Sequence, residues 1–322
     1  MNHHRKLLIV VWAALMTTAA VAAEYPARPL RFIVPSAAGG AADINARLLA
    51  AELANLLGQQ IVIDNRPGAA GSIGMELIAR AAPDGHTIGY GTSAALAINR
   101  SLLARLPYDP DKDFQMVALM GYQPNLLAVA LSLPVKSVQE LIAYARNNPG
   151  KLSYGSSGNG TPAHLGMEMF RHMTGTQMVH VPYKAAQQAI AEMIAGQVHA
   201  LFDNLGSIVP HVNAGRIRGL GVTSRKRSAA LPELPTLDEA GIPGFELTAW
   251  GGVVVPAGVP KAIVARLNAE INRSLASPSL KQKVSLFGYE VAGGTPEQFT
   301  AHVRKEAAKW ADVIKRSGVK ID

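Results

Sequence analysis

At 322 residues, with 48% hydrophobic side chains, the chain is too long for one small domain and apolar enough for two cores. It has 0 Cys, which excludes disulfides, thiolate metal sites and acylation at an N-terminal cysteine. Its formal charge of +8 is dispersed, with only Arg225-Lys226-Arg227 dense and no basic block beside interleaved aromatics, so a solvated basic face that steers anions reads ahead of nucleic-acid binding.

The first residues read as an export signal. His3, His4, Arg5 and Lys6 form a positive start, 7–14 is apolar, and Val21-Ala22-Ala23 offers the small residues of a cleavage site, giving a signal peptide at 1–23 and a mature charge of +6. A membrane anchor is the weaker alternative. The apolar run is shorter than the roughly 20 residues of a span and Thr17 and Thr18 break it. No long apolar run follows.

The mature chain alternates short β-type runs with helical ones. Strands are expected at 30–34, 61–64, 87–91, 117–120, 126–130, 152–155, 178–181, 199–202, 218–223 and 248–255. Helices are expected at 43–57, 74–81, 94–103, 138–147, 162–173, 185–195, 208–213, 236–241, 261–276, 279–286 and 296–317. Gly121-Tyr122-Gln123-Pro124 reads as a break between two strands. Alternation of this kind predicts an α/β fold with parallel-type sheets flanked by helices. Two such blocks, one at 24–124 and 247–322 and the other at 125–246, would be joined by two crossings that act as a hinge.

In open α/β sheets ligands sit beyond the carboxyl ends of strands, where helix starts leave N–H groups free. Five strand-to-helix turns therefore carry the candidate ligand contacts. The first holds Ser36, Ala37, Ala38, Gly39, Gly40 and Asp43; Asp43 reads first as a helix N-cap and second as a ligand contact. The second holds Thr92 and Ser93. The third holds Ser157, Gly158, Asn159 and Thr161, with Thr161 an N-cap and Pro162 the first helical residue. The fourth holds Tyr183 and Lys184, a ligand cation or a solvated side chain. The fifth holds Asp203, which either faces the cleft or caps the helix near Ser207. A bulky residue at Gly39 is expected to block the first loop.

Enzyme signatures are missing. Gly68-Ala69-Ala70-Gly71-Ser72-Ile73-Gly74 has GxxGxxG spacing, unlike the dinucleotide fingerprint, and no phosphate-binding GxxxxGK[ST] occurs. No serine sits in GxSxG, and the scattered histidines form no ligand pair; His164 reads as structural, with a place at the cleft as the alternative. No catalytic residue, metal or cofactor is therefore expected. Main-chain donors and hydroxyls with few charges describe a binding pocket.

The strings YPARPLRFIVPSAAGGAADINARLLA (25–50), DNRPGAAGSIG (64–74), APDGHTIGYGTS (82–93), LPYDPDKDF (106–114), SSGNGTPAHL (156–165), VHVPYKAA (179–186), GQVHALFDNLGSIVPHVNAGRIRGLGVTS (196–224) and LPELPTLDEAGIPGFE (231–246) occur in one order. With them the chain resembles the Bug family, the solute receptors of tripartite tricarboxylate transporters. The resemblance implies a two-lobed type II periplasmic-binding-protein fold. It also implies capture of a small carboxylate through water held by the first and third loops, and delivery to a membrane permease. By position it points to Ala37 to Gly40, Asp43, Thr92, Ser93, Ser157 to Asn159, Tyr183 and Asp203. The chain departs from the pattern at Ser36, where the family usually has an aromatic, at Ala41-Ala42, where it has Pro-Thr, and at Ala185, where it has glycine. The expectation is a monomeric periplasmic receptor for a small carboxylate. A receptor for a membrane signalling partner, or a hydrolase using Ser93 or Ser157, is the alternative.

Overall fold

The computed structural model describes residues 25–285 and 288–317. The expected export signal at 1–23 lies outside the described residues.

Local chemistry starts and stops the helices much as the sequence suggests. After β1 (Leu30–Val34), extended Gly40 caps α1 (Ala41–Leu57), and Gly58 ends it in the left-handed conformation that glycine adopts at little cost. Leu49, Leu53 and Leu57, four residues apart, are buried along one face. β2 (Ile61–Asn65), α2 (Ser72–Ala79) and β3 (Thr87–Thr92) follow. The helix expected at 94–103 is a π-helical stretch (Ala94–Ile98) running into a short α3 (Asn99–Leu102).

The break expected at 121–124 is absent: β4 is a single strand, Phe114–Ala130. Its Gly and Pro mark irregular pairing rather than a turn. The register against β9 (Thr248–Pro256) shifts at Met116/Ala118 and Leu119/Gly121, and after Pro124 the strand changes partners.

The second block contains α4 (Val138–Asn147), β5 (Leu152–Ser156), α5 (Pro162–Thr174), β6 (Met178–Pro182), α6 (Ala186–Ile194), β7 (Ala200–Asn204), α7 (Leu205–Asn213) and β8 (Ile217–Val222). β7 runs two residues beyond expectation, so Asp203 and Asn204 lie in a strand. The helix expected at 236–241 is one turn, closed by an Ala240 N–H bond to Thr236 O and stopped by left-handed Gly241 (φ 89°). The chain closes with α8 (Lys261–Ala276), α9 (Pro278–Ser285), the two-residue β10 (Glu290–Val291), which was not expected, and α10 (Pro296–Ser317).

One sheet has the order β2-β1-β3-β9-β4; the other comprises β4-β7-β5-β6, with β8 also paired to β4. The outer strands are parallel, while β4, β8 and β9 introduce antiparallel pairing. β4 belongs to both sheets. Phe114 to Pro124 pairs with β9, and Asn125 to Ala130 pairs with β7 and β8. One apolar cluster runs through both halves, from Ile33, Met75 and Trp250 to Leu127, Tyr154 and Phe202, and a smaller one lies with each sheet: Phe32, Leu49, Leu53, Val253 and Leu267 with the first, and Leu126, Ile190, Leu201 and Ile208 with the second.

Thr223, fully buried, ties the two crossings together. Its amide donates to Asn125 O (2.9 Å) and its hydroxyl accepts from Asn125 N (2.8 Å) and bonds Leu247 O. The Leu247 amide donates back to Thr223 O at 3.0 Å.

Candidate functional site

The strand ends of both sheets converge on a cavity of about 840 Å³. Of the residues singled out from sequence, Ser36, Ala37, Gly40, Thr92, Ser93, Ser157, Gly158, Asn159, Thr161, Tyr183, Lys184 and Asp203 line it. Ala38, Gly39 and Asp43 do not.

Asp43 sits in the first turn of α1, not at its N-cap. It is 3% exposed, and its carboxylate accepts the Gly39 amide (2.8 Å), Asn65 Nδ2 (3.0 Å) and Arg47 Nε (3.0 Å). Burial works against the ionised form, but these bonds outweigh it and hold the carboxyl below its usual range. Asp43 therefore braces the first loop from behind. Gly39, at φ 76°, has nothing within 4 Å of where a Cβ would stand. The blocking expected of a larger residue there gives way to backbone strain.

The third loop is braced differently. Thr161 caps α5, accepting from the His164 amide, and Ser156 Oγ accepts the Gly158 amide at 3.2 Å. His164 Nδ1 accepts the Gly160 amide at 3.0 Å, which assigns its proton to Nε2. His164 stacks on His180 with ring centroids 3.9 Å apart, and His180 stacks on Tyr154 at 4.8 Å. His180 Nε2 lies 2.7 Å from Ser156 Oγ. Loss of water, and then the neighbouring His164, push His180 down to about 4; burial lowers His164 as well. Both rings are neutral at neutral pH. His164 is thus buried under the loop and absent from the cavity lining.

This bracing leaves particular main-chain donors for a guest. The amides of Ser36, Ala37 and Ala38 on one loop, and of Ser157 and Asn159 on the other, have no acceptor among the described residues. Gln187 Nε2 reaches Gly39 O at 3.2 Å, linking the start of α6 to the first loop. Among the described residues Lys184, exposed, is the cation that lines the cavity, and no Arg, His or Glu does. Among the described residues no group of three or more His, Cys, Asp and Glu could hold a metal ion.

Sequence reasoning missed part of the lining. Tyr90, Gln123, Trp250 and Tyr289 come from strands or a late loop, where no strand-to-helix turn marks them. Trp250 is fixed by its Nε1 bond to Glu306 (3.1 Å), which also receives Trp310 Nε1 at 3.2 Å. The Pro67 to Gly71 loop carries a usable signal, since it follows a strand and precedes a helix, although its glycine spacing matches no nucleotide fingerprint. Ala69 and Ala70 there have φ of 46° and 52°, a left-handed conformation costly for a residue with a Cβ.

Two α/β sheets, a pair of crossings and one large cavity at the strand ends define a two-lobed solute receptor of the periplasmic-binding-protein type. The chain belongs to the tripartite tricarboxylate transporter receptor family, whose model, described as "Tripartite tricarboxylate transporter family receptor", matches residues 45–319. It is 38% identical over 97% of its length, and 94% of the relative's, to the "UPF0065 protein in tcbD-tcbE intergenic region" of Pseudomonas sp. (strain P51). Among solved structures it is similar to R. palustris Rpa4515 with adipate, at a TM-score of 0.89 and 42% identity, covering 92% of this chain and 99% of that one. It is also similar to MatC (Rpa3494) from Rhodopseudomonas palustris with bound malate, at 0.84 and 32%, covering 90% of this chain and 100% of that one.

Proposed function

We propose that this chain is a periplasmic receptor that captures a small carboxylate between its lobes, performs no chemistry on it and presents it to the membrane subunits of a tripartite transporter. One observation carries the reading: five unpaired main-chain amides on two loops bordering one cavity. Such donors suit a small anion, a carboxylate among them. The adipate and malate of the two R. palustris relatives agree in class. The ligand contacts are Ser36, Ala37, Gly40, Thr92, Ser93, Ser157, Gly158, Asn159, Thr161, Tyr183 and Asp203, with Ala38, Gly39 and Asp43 supporting them. Ser93 and Ser157 are binding hydroxyls, because among the described residues no histidine lines the cavity to act as their base.

The lobes are 24–124 with 247–322, and 125–246, rocking about the crossings that Thr223 ties. The chain is exported by its first 23 residues and works as a monomer. A thermal-shift screen of mono- and dicarboxylates against uncharged sugars tests the reading. Stabilisation by acids alone supports it; stabilisation by sugars alone overturns it.

A further inference from the structure

We infer that Asp203 is a specificity-determining residue that enters the complex protonated and shares its proton with the ligand's carboxylate, so that capture of an acid anion above neutral pH takes up one proton from solvent. The inference rests on the carboxylate reading given under Proposed function and names the chemistry of one end of that cavity.

Its basis is position. β5 and β7 are parallel neighbours with Tyr154 opposite Ala200 and Gly155 opposite Leu201. Two residues past that last pair the chain reaches Ser157 after β5 and Asp203 at the end of β7, and both line the cavity. Ser157 carries one of the unpaired amides that invite an anion, so a guest carboxylate held there lies beside the Asp203 side chain. Two ionised carboxylates so close repel strongly in a site removed from water, and one shared proton turns the repulsion into a charge-assisted hydrogen bond.

Among the described residues nothing supplies a counter-charge instead. Asp203 is 4% exposed and lines the cavity. One carboxyl oxygen accepts the Asn204 amide at 2.8 Å; the other has no hydrogen bond among the described residues. The flanking strands β4 and β5 bring only the phenols of Tyr122 and Tyr154. The helices packed on β7 bring His164, Glu168, Arg171 and His172 from α5, Glu192 from α6 and His211 from α7. None of these ion-pairs with Asp203, and Arg171 is committed to Glu168 at 2.6 Å. Lys184, on the cavity side, is exposed and forms no ion pair among the described residues. Loss of water raises the Asp203 carboxyl to about 7 against the pull of the Asn204 amide, so this carboxyl carries the proton part of the time at neutral pH. The same arrangement disfavours a guest that brings only a second negative charge at high pH. An ammonium group at this end would be its competitor, since it would keep Asp203 ionised.

Calorimetric titration of the full mature chain with adipate, from pH 6.5 to 8.5 in two buffers of different ionisation enthalpy, tests the inference. The expected result is an affinity falling roughly tenfold per pH unit above about 7.5, with close to one proton taken up. Asp203→Asn, which keeps a donor at this position, is expected to lose that slope. A wild-type affinity independent of pH, or binding without proton uptake, overturns the inference while leaving the receptor reading intact. Failure of adipate and every other acid to bind at any pH overturns the receptor reading itself. Carbon-13 NMR of the Asp203 carboxyl, assigned by comparison with Asp203→Asn, reads the ligand-free chain independently. An inflection near 7 supports the inference and one below 5 overturns it.

Discussion

The loop after β1 is braced by an ionised carboxylate, and the loop after β5 by neutral imidazoles. Asp43 gathers a backbone amide, an Asn side chain and an Arg guanidinium; His164 and His180 accept or share single hydrogen bonds within a stack that Tyr154 extends. Both arrangements give each loop's inward-turned amides an internal acceptor, and both leave other amides of the same loop unpaired for a guest. The lesson is that the pocket's chemistry is set from behind by residues that never touch its surface. The two braces also fail under different conditions.

The largest effect is expected from Asp43→Ala. It removes the acceptor of the Gly39 amide and one acceptor of Asn65 in a site 3% exposed, and leaves Arg47 without its carboxylate partner. The cost is about 2–3 kcal/mol in stability by urea unfolding, with acid binding weakened at least tenfold. Asp43→Asn, which keeps one acceptor oxygen and loses the charge, should recover part of both; a variant equal to wild type in both would contradict a role for the charge. His164→Phe keeps the stack but orphans the buried Gly160 amide, for about 1–2 kcal/mol and a severalfold loss of affinity, read by the same two measurements.

Acid should separate the braces. The folded value of His180 is depressed to about 4 from the ordinary 6.5, so its contribution is full above 6.5 and is lost as pH falls toward 4. The Asp43 carboxyl is held below its usual range, so its contribution persists until pH falls beneath the ordinary carboxylate value. Melting temperature should therefore start to drop below about pH 6.5 in the wild type, and less steeply in His180→Phe. An unchanged slope in that variant would break the comparison. The smallest effect is expected from Gln187→Ala. It deletes an exposed 3.2 Å bond to Gly39 O and should weaken binding about two- to fivefold with stability unchanged.

Much of the fold was legible because the two periodicities rarely conflict in this chain. Helix α1 has its apolar residues four apart and a glycine stop, and Thr161-Pro162 opens α5 as caps do. The failures share a cause. Gly121 and Pro124 look like a turn to a local reading, but pairing with β9, over a hundred residues away in sequence, holds the chain extended through them. The cavity was legible where strands lead into helices, since free amides follow from that geometry. It was not legible at Tyr90, Trp250 or Tyr289, whose place depends on tertiary contacts such as Trp250 with Glu306. Nor could sequence show that Asp43 faces away from the pocket, because cap, brace and ligand contact all call for the same residue type at a helix start. Thr223 stood at the expected end of a strand with nothing to mark its hold on both crossings.

The central claim is that unpaired main-chain amides of the two loops hold the carboxylate. Amide proton and nitrogen shifts recorded while adipate is titrated into the isotopically labelled chain test it directly. The largest downfield amide proton movements are expected at Ser36, Ala37, Ala38, Ser157 and Asn159. Saturable binding that leaves those five amides unmoved and shifts residues elsewhere would contradict it.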